Sequence, residues 1–119
     1  MNFKFEKLIV WQKSMDFGEE INRVAYNFPE IEKFNLSSQI RRAVDSVALN
    51  ISEGSIGQSN AENMKFISYS IRSLAEVVTC LHKANKREYI SKEKFNVLYK
   101  TSFNLMNMLI AYKKSLKMG

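Results

Sequence analysis

A chain of 119 residues with 45% hydrophobic content is long enough for one domain around a single core and too short for two. Four Gly and one Pro favour long helices over a sheet that would need turn residues about every ten positions, and a single cysteine, Cys80, excludes an internal disulfide. The formal charge of +6 is uneven: residues 1–82 carry nine Lys/Arg against ten Asp/Glu, whereas residues 83–119 carry nine against two, and clustered cations attract phosphate.

The first predicted helix spans about 5–27, where Val10, Phe17, Ile21, Val24 and Phe28 recur at helical spacing and Leu8, Trp11 and Met15 widen the stripe. Pro29 closes it, because proline supplies no backbone hydrogen and pushes Phe28 out of helical geometry. A second helix is predicted over 37–56, with Ser37 as its N-cap and Ile40, Val44, Val47 and Ile51 as its core seam. Gly54 and Gly57 weaken and end it. On its other side Arg42, Ser46, Leu49 and Glu53 stand in line with Asn50 at the edge, unlike the Lys and Glu of an ordinary solvated face.

Ser59 and Glu62 form a capping-box pattern that opens a third helix, 60–86. Its core stripe is Met64, Ile67, Ile71, Leu74, Val78 and Leu81, while Phe66, Ser73, Val77 and Ala84 suggest a second apolar face that calls for a neighbouring subunit or another helix of the same bundle. The link NKREYIS leads to a fourth helix, 92–117, capped by Ser91, with Phe95, Leu98, Leu105, Leu109, Tyr112 and Leu116 along one seam that only Ser102 interrupts. Short connections between long helices predict an all-α, antiparallel up-down-up-down four-helix bundle.

The inventory of reactive groups argues against an enzyme. His82 is the single histidine, and Cys80, two residues away, points to a different side of the helix, so neither a nucleophile pair nor a zinc site is expected. No Glu-x-x-His di-iron pattern occurs, and GSIGQS follows a helix and lacks the Lys-Ser/Thr of a phosphate loop. No catalytic residue, cofactor or metal is therefore predicted. No apolar run approaches the roughly 18 residues of a membrane span, and the N-terminus lacks a signal-peptide pattern, so a cytoplasmic protein is expected.

Electrostatics remains. An up-down bundle gathers the start of helix 2, the end of helix 3 and the start of helix 4 at one end, which predicts a basic pole of Arg41, Lys83, Lys86, Arg87, Lys92 and Lys94, with Arg42 nearby. Tyr89 in the same loop is a candidate for stacking on an unpaired base. The competing reading is a solvated, lysine-rich loop. At the far pole, Lys113, Lys114 and Lys117 suit a helix C-terminus.

The chain resembles the four-helix-bundle family associated with intervening sequences in bacterial 23S ribosomal RNA genes. The likeness runs from near Phe5 to about Ile90, carried by LIVWQ at 8–12, FP at 28–29, QIRRAVDSVALNISEG at 39–54 and SLAEVVTCL at 73–81. Arg42, Ser46, Asn50, Glu53 and Gly54 match the family's R-x3-S-x3-N-x2-E-G pattern. Ser70-Ile71-Arg72-Ser73 stands where the family tends to have a small Ala-x-Gly-Ser. The resemblance implies a small cytoplasmic bacterial protein, a homopentameric ring and non-catalytic binding of RNA or another nucleic acid. A related branch includes the accessory variability determinant, which partners a reverse transcriptase in diversity-generating retroelements, so a scaffold that docks a protein partner is the second reading. The Arg42 to Gly54 signature is read as an assembly surface.

Overall fold

In a computed structural model, which describes residues 1–118, the chain folds into four long helices: α1 (Ile9–Tyr26), α2 (Leu36–Ser55), α3 (Asn60–Lys86) and α4 (Lys92–Met118). Among the described residues there is no strand, and no helix is long and apolar enough to cross a membrane. At about 1.5 Å per residue the two longest helices reach roughly 40 Å, close to the 45 Å long axis of the molecule.

Three hydrogen-bonded ties fix the antiparallel order. Trp11 Nε1 donates to Ser52 Oγ at 2.8 Å, joining the start of α1 to the end of α2. Asn60 Nδ2 donates to the Leu116 carbonyl at 3.1 Å, joining the start of α3 to the end of α4. At the other pole, Arg87 just past α3 bonds Glu32 just before α2 at 2.9 Å. The result is an up-down-up-down bundle.

Ile21, Ile40, Val44, Val47, Ile51, Ile67, Leu74, Leu81, Leu98 and Leu109 are all essentially solvent-free, so the apolar spacings of the four helices meet in one core. Small polar side chains inside it satisfy themselves on carbonyls: Ser14 on Val10, Ser102 on Leu98, and Ser70 on Val47 at 2.8 Å. The seryl interruption in α4 is thereby harmless, since a buried hydroxyl costs little once bonded.

Several local expectations need correction. The first helix starts at Ile9, not near Phe5: Lys4–Lys7 is a separate 3-10 turn, and Leu8 between them is extended. Ser37 is not the N-cap of α2. Asn35 holds that position and Ser37 is buried one residue inside the helix, because the Glu32 carboxylate caps the start by accepting from the Leu36 amide (3.3 Å) and Asn35 Nδ2 (3.1 Å). Ser59 and Ser91 do cap, accepting from the Glu62 and Lys94 amides at 3.1 and 3.0 Å. The apolar stripe of α3 is rotated from its expected line: Val77 and Ala84 are fully buried, whereas Met64, Ile71 and Val78 are only partly so. Its two faces are explained by two helices of the same chain, because α3 packs against both α2 and α4.

The α2–α3 pairing is the most extensive. Gln39 faces Glu76, Val47 faces Ser70 and Gly54 faces Asn63, stepping along the antiparallel pair. α2 ends at Ser55, between Gly54 and Gly57, and Gly54 in its last turn lies where a Cβ would sit 2.6 Å from Asn63 Oδ1 and 2.8 Å from Phe66 Cβ. The asparagine oxygen can move, but the Phe66 Cβ is fixed to the α3 backbone. Gly54→Ala is accordingly expected to lower stability by about 1–3 kcal/mol through overpacking, read as a shifted urea midpoint. A variant as stable as the parent would mean that the helices separate at little cost. Arg72, which stands where the resemblance leads to a small residue, is exposed, while Ser70 of the same segment bonds the Val47 carbonyl across the α2–α3 pairing.

Candidate nucleic-acid interface

The α3–α4 connection is a helix stop without glycine. The Tyr89 amide bonds the Ala84 carbonyl at 2.9 Å and the Glu88 amide bonds that of Asn85 at 3.1 Å, the paired geometry of a Schellman motif. Glu88 adopts the left-handed position at φ 60°. A side chain there costs on the order of 1 kcal/mol, so something nearby must hold the turn. That anchor is Glu32.

Glu32 is buried, and its carboxylate collects four donors. Oε2 accepts from Tyr89 Oη at 2.7 Å and from Arg87 Nη1 at 2.9 Å, while Oε1 takes Asn35 Nδ2 and the Leu36 amide. The Tyr89 hydroxyl holds this carboxyl below the usual range against the opposing effect of burial, and Leu36, Arg87 and Asn35 add to the lowering. Conversely, the bond to Glu32, then burial and then the carboxylate charge push the Tyr89 hydroxyl up.

These shifts set a pH dependence. A folded-state pKa below the unfolded value gives stability that is present above the ordinary Glu pKa of 4.5 and lost as pH falls through the folded pKa. Glu32→Gln should lower the thermal midpoint at pH 7, and the gap to the parent should close toward pH 3. A gap that stays constant across that range would show that Glu32 acts through shape alone. The Tyr89 bond has the opposite sense, contributing below the ordinary tyrosine pKa of 10.0 and fading as pH rises through the higher folded value.

The predicted basic residues divide accordingly. Lys83 and Lys86 in the last turn of α3 and Lys92 and Lys94 in the first turn of α4 are exposed at one pole, and none makes an ion pair among the described residues. Arg87 is different: its guanidinium is half-spent on Glu32, leaving a side chain 39% exposed. Arg41 is exposed but turns toward α1, donating from Nε to Asn22 Oδ1 at 3.3 Å, so it stands apart from the lysines. Tyr89 is not a free stacking surface. It is half-buried, tilted against Phe28 with ring centroids 5.6 Å apart, and its hydroxyl is bound.

The signature residues of α2 also part company. Arg42, Leu49 and Glu53 are exposed, Leu49 at 60%, and Arg42 and Glu53 make no ion pair among the described residues. Ser46 and Asn50 are half-buried, and Asn50 Nδ2 donates to the Ser46 carbonyl at 2.8 Å. Gly54 serves the α2–α3 contact described above. Leu49 borders an open groove of about 370 Å³ between α1 and α2, with Trp11, Met15, Gly18 and Asp45 among its walls.

Cys80 is fully buried, and burial followed by the charge of Glu76 pushes its thiol up, away from the thiolate a nucleophile needs. No three His, Cys, Asp or Glu side chains converge as a metal site among the described residues. His82 is exposed and joins Phe95 and Tyr99 in an aromatic group absent from the expected site residues. Its signal in the sequence is the four-residue spacing of Phe95 and Tyr99, which places both on one flank of α4. Glu32 gives no such signal, since Glu30 two residues earlier is chemically identical.

The family model described as 23S rRNA-intervening sequence protein matches residues 6–111. A crystal structure from Bacteroides thetaiotaomicron, of a protein with unknown function from the S23 ribosomal protein family, superposes with a TM-score of 0.80 at 27% sequence identity, covering 89% of this chain and 99% of its own. No curated protein matches the sequence significantly.

Proposed function

The chain belongs to the 23S rRNA-intervening sequence protein family, and from that premise we propose that it is a non-catalytic nucleic-acid-binding protein with RNA as its ligand, working as an oligomer of bundles in the cytoplasm. The observation that carries this reading is the pole of four exposed lysines, Lys83, Lys86, Lys92 and Lys94, with no ion-pair partner among the described residues. Unpaired, closely placed cations release counterions from a phosphate backbone, and that release is the main source of sequence-independent affinity. Arg87 contributes what Glu32 leaves free, and Arg41 serves a second, separate contact.

Assembly is supported by the exposed Leu49 beside the α1–α2 groove, with Arg42 and Glu53 available to pair across a repeated contact. A homopentamer, the number suggested by family likeness, would present about +30 of formal charge from five +6 subunits. The same groove favours a second reading, a scaffold that docks a partner enzyme and supports that partner's nucleic acid only indirectly.

The test replaces Lys83, Lys86, Lys92 and Lys94 together by Gln and leaves Arg87 in place to keep the Glu32 contact. RNA affinity, measured by fluorescence anisotropy, should fall at least tenfold with the helical circular dichroism unchanged. Light scattering in the same series reports the oligomer. A parent protein that runs as a monomer and ignores RNA would overturn the proposal, and RNA binding unchanged in the variant would remove the lysine pole from it.

A further inference from the structure

The exposed edge where α3 meets α4 carries more aromatic surface than the core requires. His82 lies 5.1 Å from Phe95 and 6.0 Å from Tyr99, centroid to centroid, and Phe95 lies 5.8 Å from Tyr99. The core line of α4 runs through Leu98, Ser102, Leu105 and Leu109, all buried, and Tyr99 is one residue, hence about 100°, off that line. It is 41% exposed, and Phe103 one turn further along the same flank is 58% exposed. Phe95 is half-buried against the core, while His82 and Tyr99 are exposed, so the three rings form one group with its outer part open.

The charge around the group has one sign. Lys86 follows His82 by four residues on α3, and Lys92 precedes Phe95 by three and Tyr99 by seven on α4, so helical register sets both lysines on the aromatic flank. The two acids of the C-terminal third lie elsewhere. Glu93 falls about a third of a turn around α4 from Tyr99, and Glu88 is in the turn beyond α3. An aromatic face beside cations selects a ligand with π-faces on one side and anions on the other.

We propose that His82, Phe95 and Tyr99, flanked by Lys86 and Lys92, form a stacking site for the unpaired bases of a single-stranded nucleic acid, a role that rests on the nucleic-acid reading above and replaces the one expected of Tyr89. Duplex RNA presents no free base faces to such a surface, whereas a single strand places bases on aromatic rings and its phosphates against neighbouring cations. Phe103 extends the surface by one turn, room for a second base.

The experiment uses the full chain with a single-stranded RNA carrying one 2-aminopurine, and the same strand in a duplex. Binding to the parent should quench the 2-aminopurine fluorescence in the single strand. Tyr99→Ala should lower single-strand affinity about tenfold or more and remove the quench, with duplex affinity unchanged; Tyr99→Phe should retain both, and His82→Ala should weaken the quench. Single-strand binding by Tyr99→Ala that matches the parent, while the parent still binds RNA in a salt-sensitive way, would overturn the stacking site and spare the nucleic-acid reading. A parent that binds neither form overturns both. A change of mass in Tyr99→Ala by light scattering would instead make this edge a contact between copies of the chain, and the stacking assignment would fall.

Discussion

Raising the salt from about 50 to about 200 mM is expected to weaken the binding of single-stranded RNA about 50-fold. The figure follows from counterion release, whose logarithmic slope is about −0.7 per phosphate neutralised on a single strand. Four exposed lysines, Lys83, Lys86, Lys92 and Lys94, give a slope of about −2.8, and a fourfold rise in salt then costs about 50-fold. The slope is a better measure than the affinity, because stacking on aromatic rings adds to affinity without adding to the slope. A titration series at several salt concentrations separates the two: the fourfold Gln variant should flatten the line, and Tyr99→Ala should displace it in parallel. A parent line that is already flat would remove phosphate from the account of this pole.

Leu74→Ala is expected to destabilise the bundle strongly, costing about 2–5 kcal/mol of a total that for domains of this kind is about 5–15. Leu74 is fully buried at the middle of α3, the helix that packs against both α2 and α4. Removing its branched end leaves a cavity in the core, and such a site collapses poorly where the surrounding side chains are held by their own contacts. Val97→Ala on exposed α4 surface provides the comparison and should stay within about 0.5 kcal/mol of the parent. Equal urea midpoints for Leu74→Ala and the parent would contradict the burial of Leu74 in the core.

The four helices and their order are legible in the sequence because their signals repeat: Ile40, Val44, Val47 and Ile51 each repeat the same information, as do Leu98, Leu105 and Leu109, and all are buried. Ser59 and Ser91 are legible as caps because a hydroxyl next to a helix start has one local partner to find. What escapes depends on residues far apart in the chain. Glu32 meets Arg87 and Tyr89 across 55 and 57 positions, and no local pattern marks a carboxylate that will be buried by a loop from another hairpin. Ser37 misleads for the same reason, since the cap expected of it comes from Glu32. Val77 and Ala84 suggest a second face because helical periodicity gives the width of an apolar stripe but not the number of neighbours it meets. In the candidate interface the lysines are legible as a charge imbalance, while the fate of Tyr89 is decided by Glu32 and Phe28, which the charge pattern does not contain.

The fastening of residues 87–89 to Glu32 also fixes how a ligand would meet the pole. A lysine-rich connection left to itself samples many shapes, and a partner that orders it must offset the lost freedom before any affinity remains, at about 0.5–1.5 kcal/mol per immobilised long side chain and more for the backbone. In this chain the backbone share has been met during folding, by a left-handed Glu88 and a buried carboxylate. Lys83, Lys86, Lys92 and Lys94 therefore rise from helical turns on either side of a hydrogen-bonded connection, and the cost of contact falls mainly on their side chains.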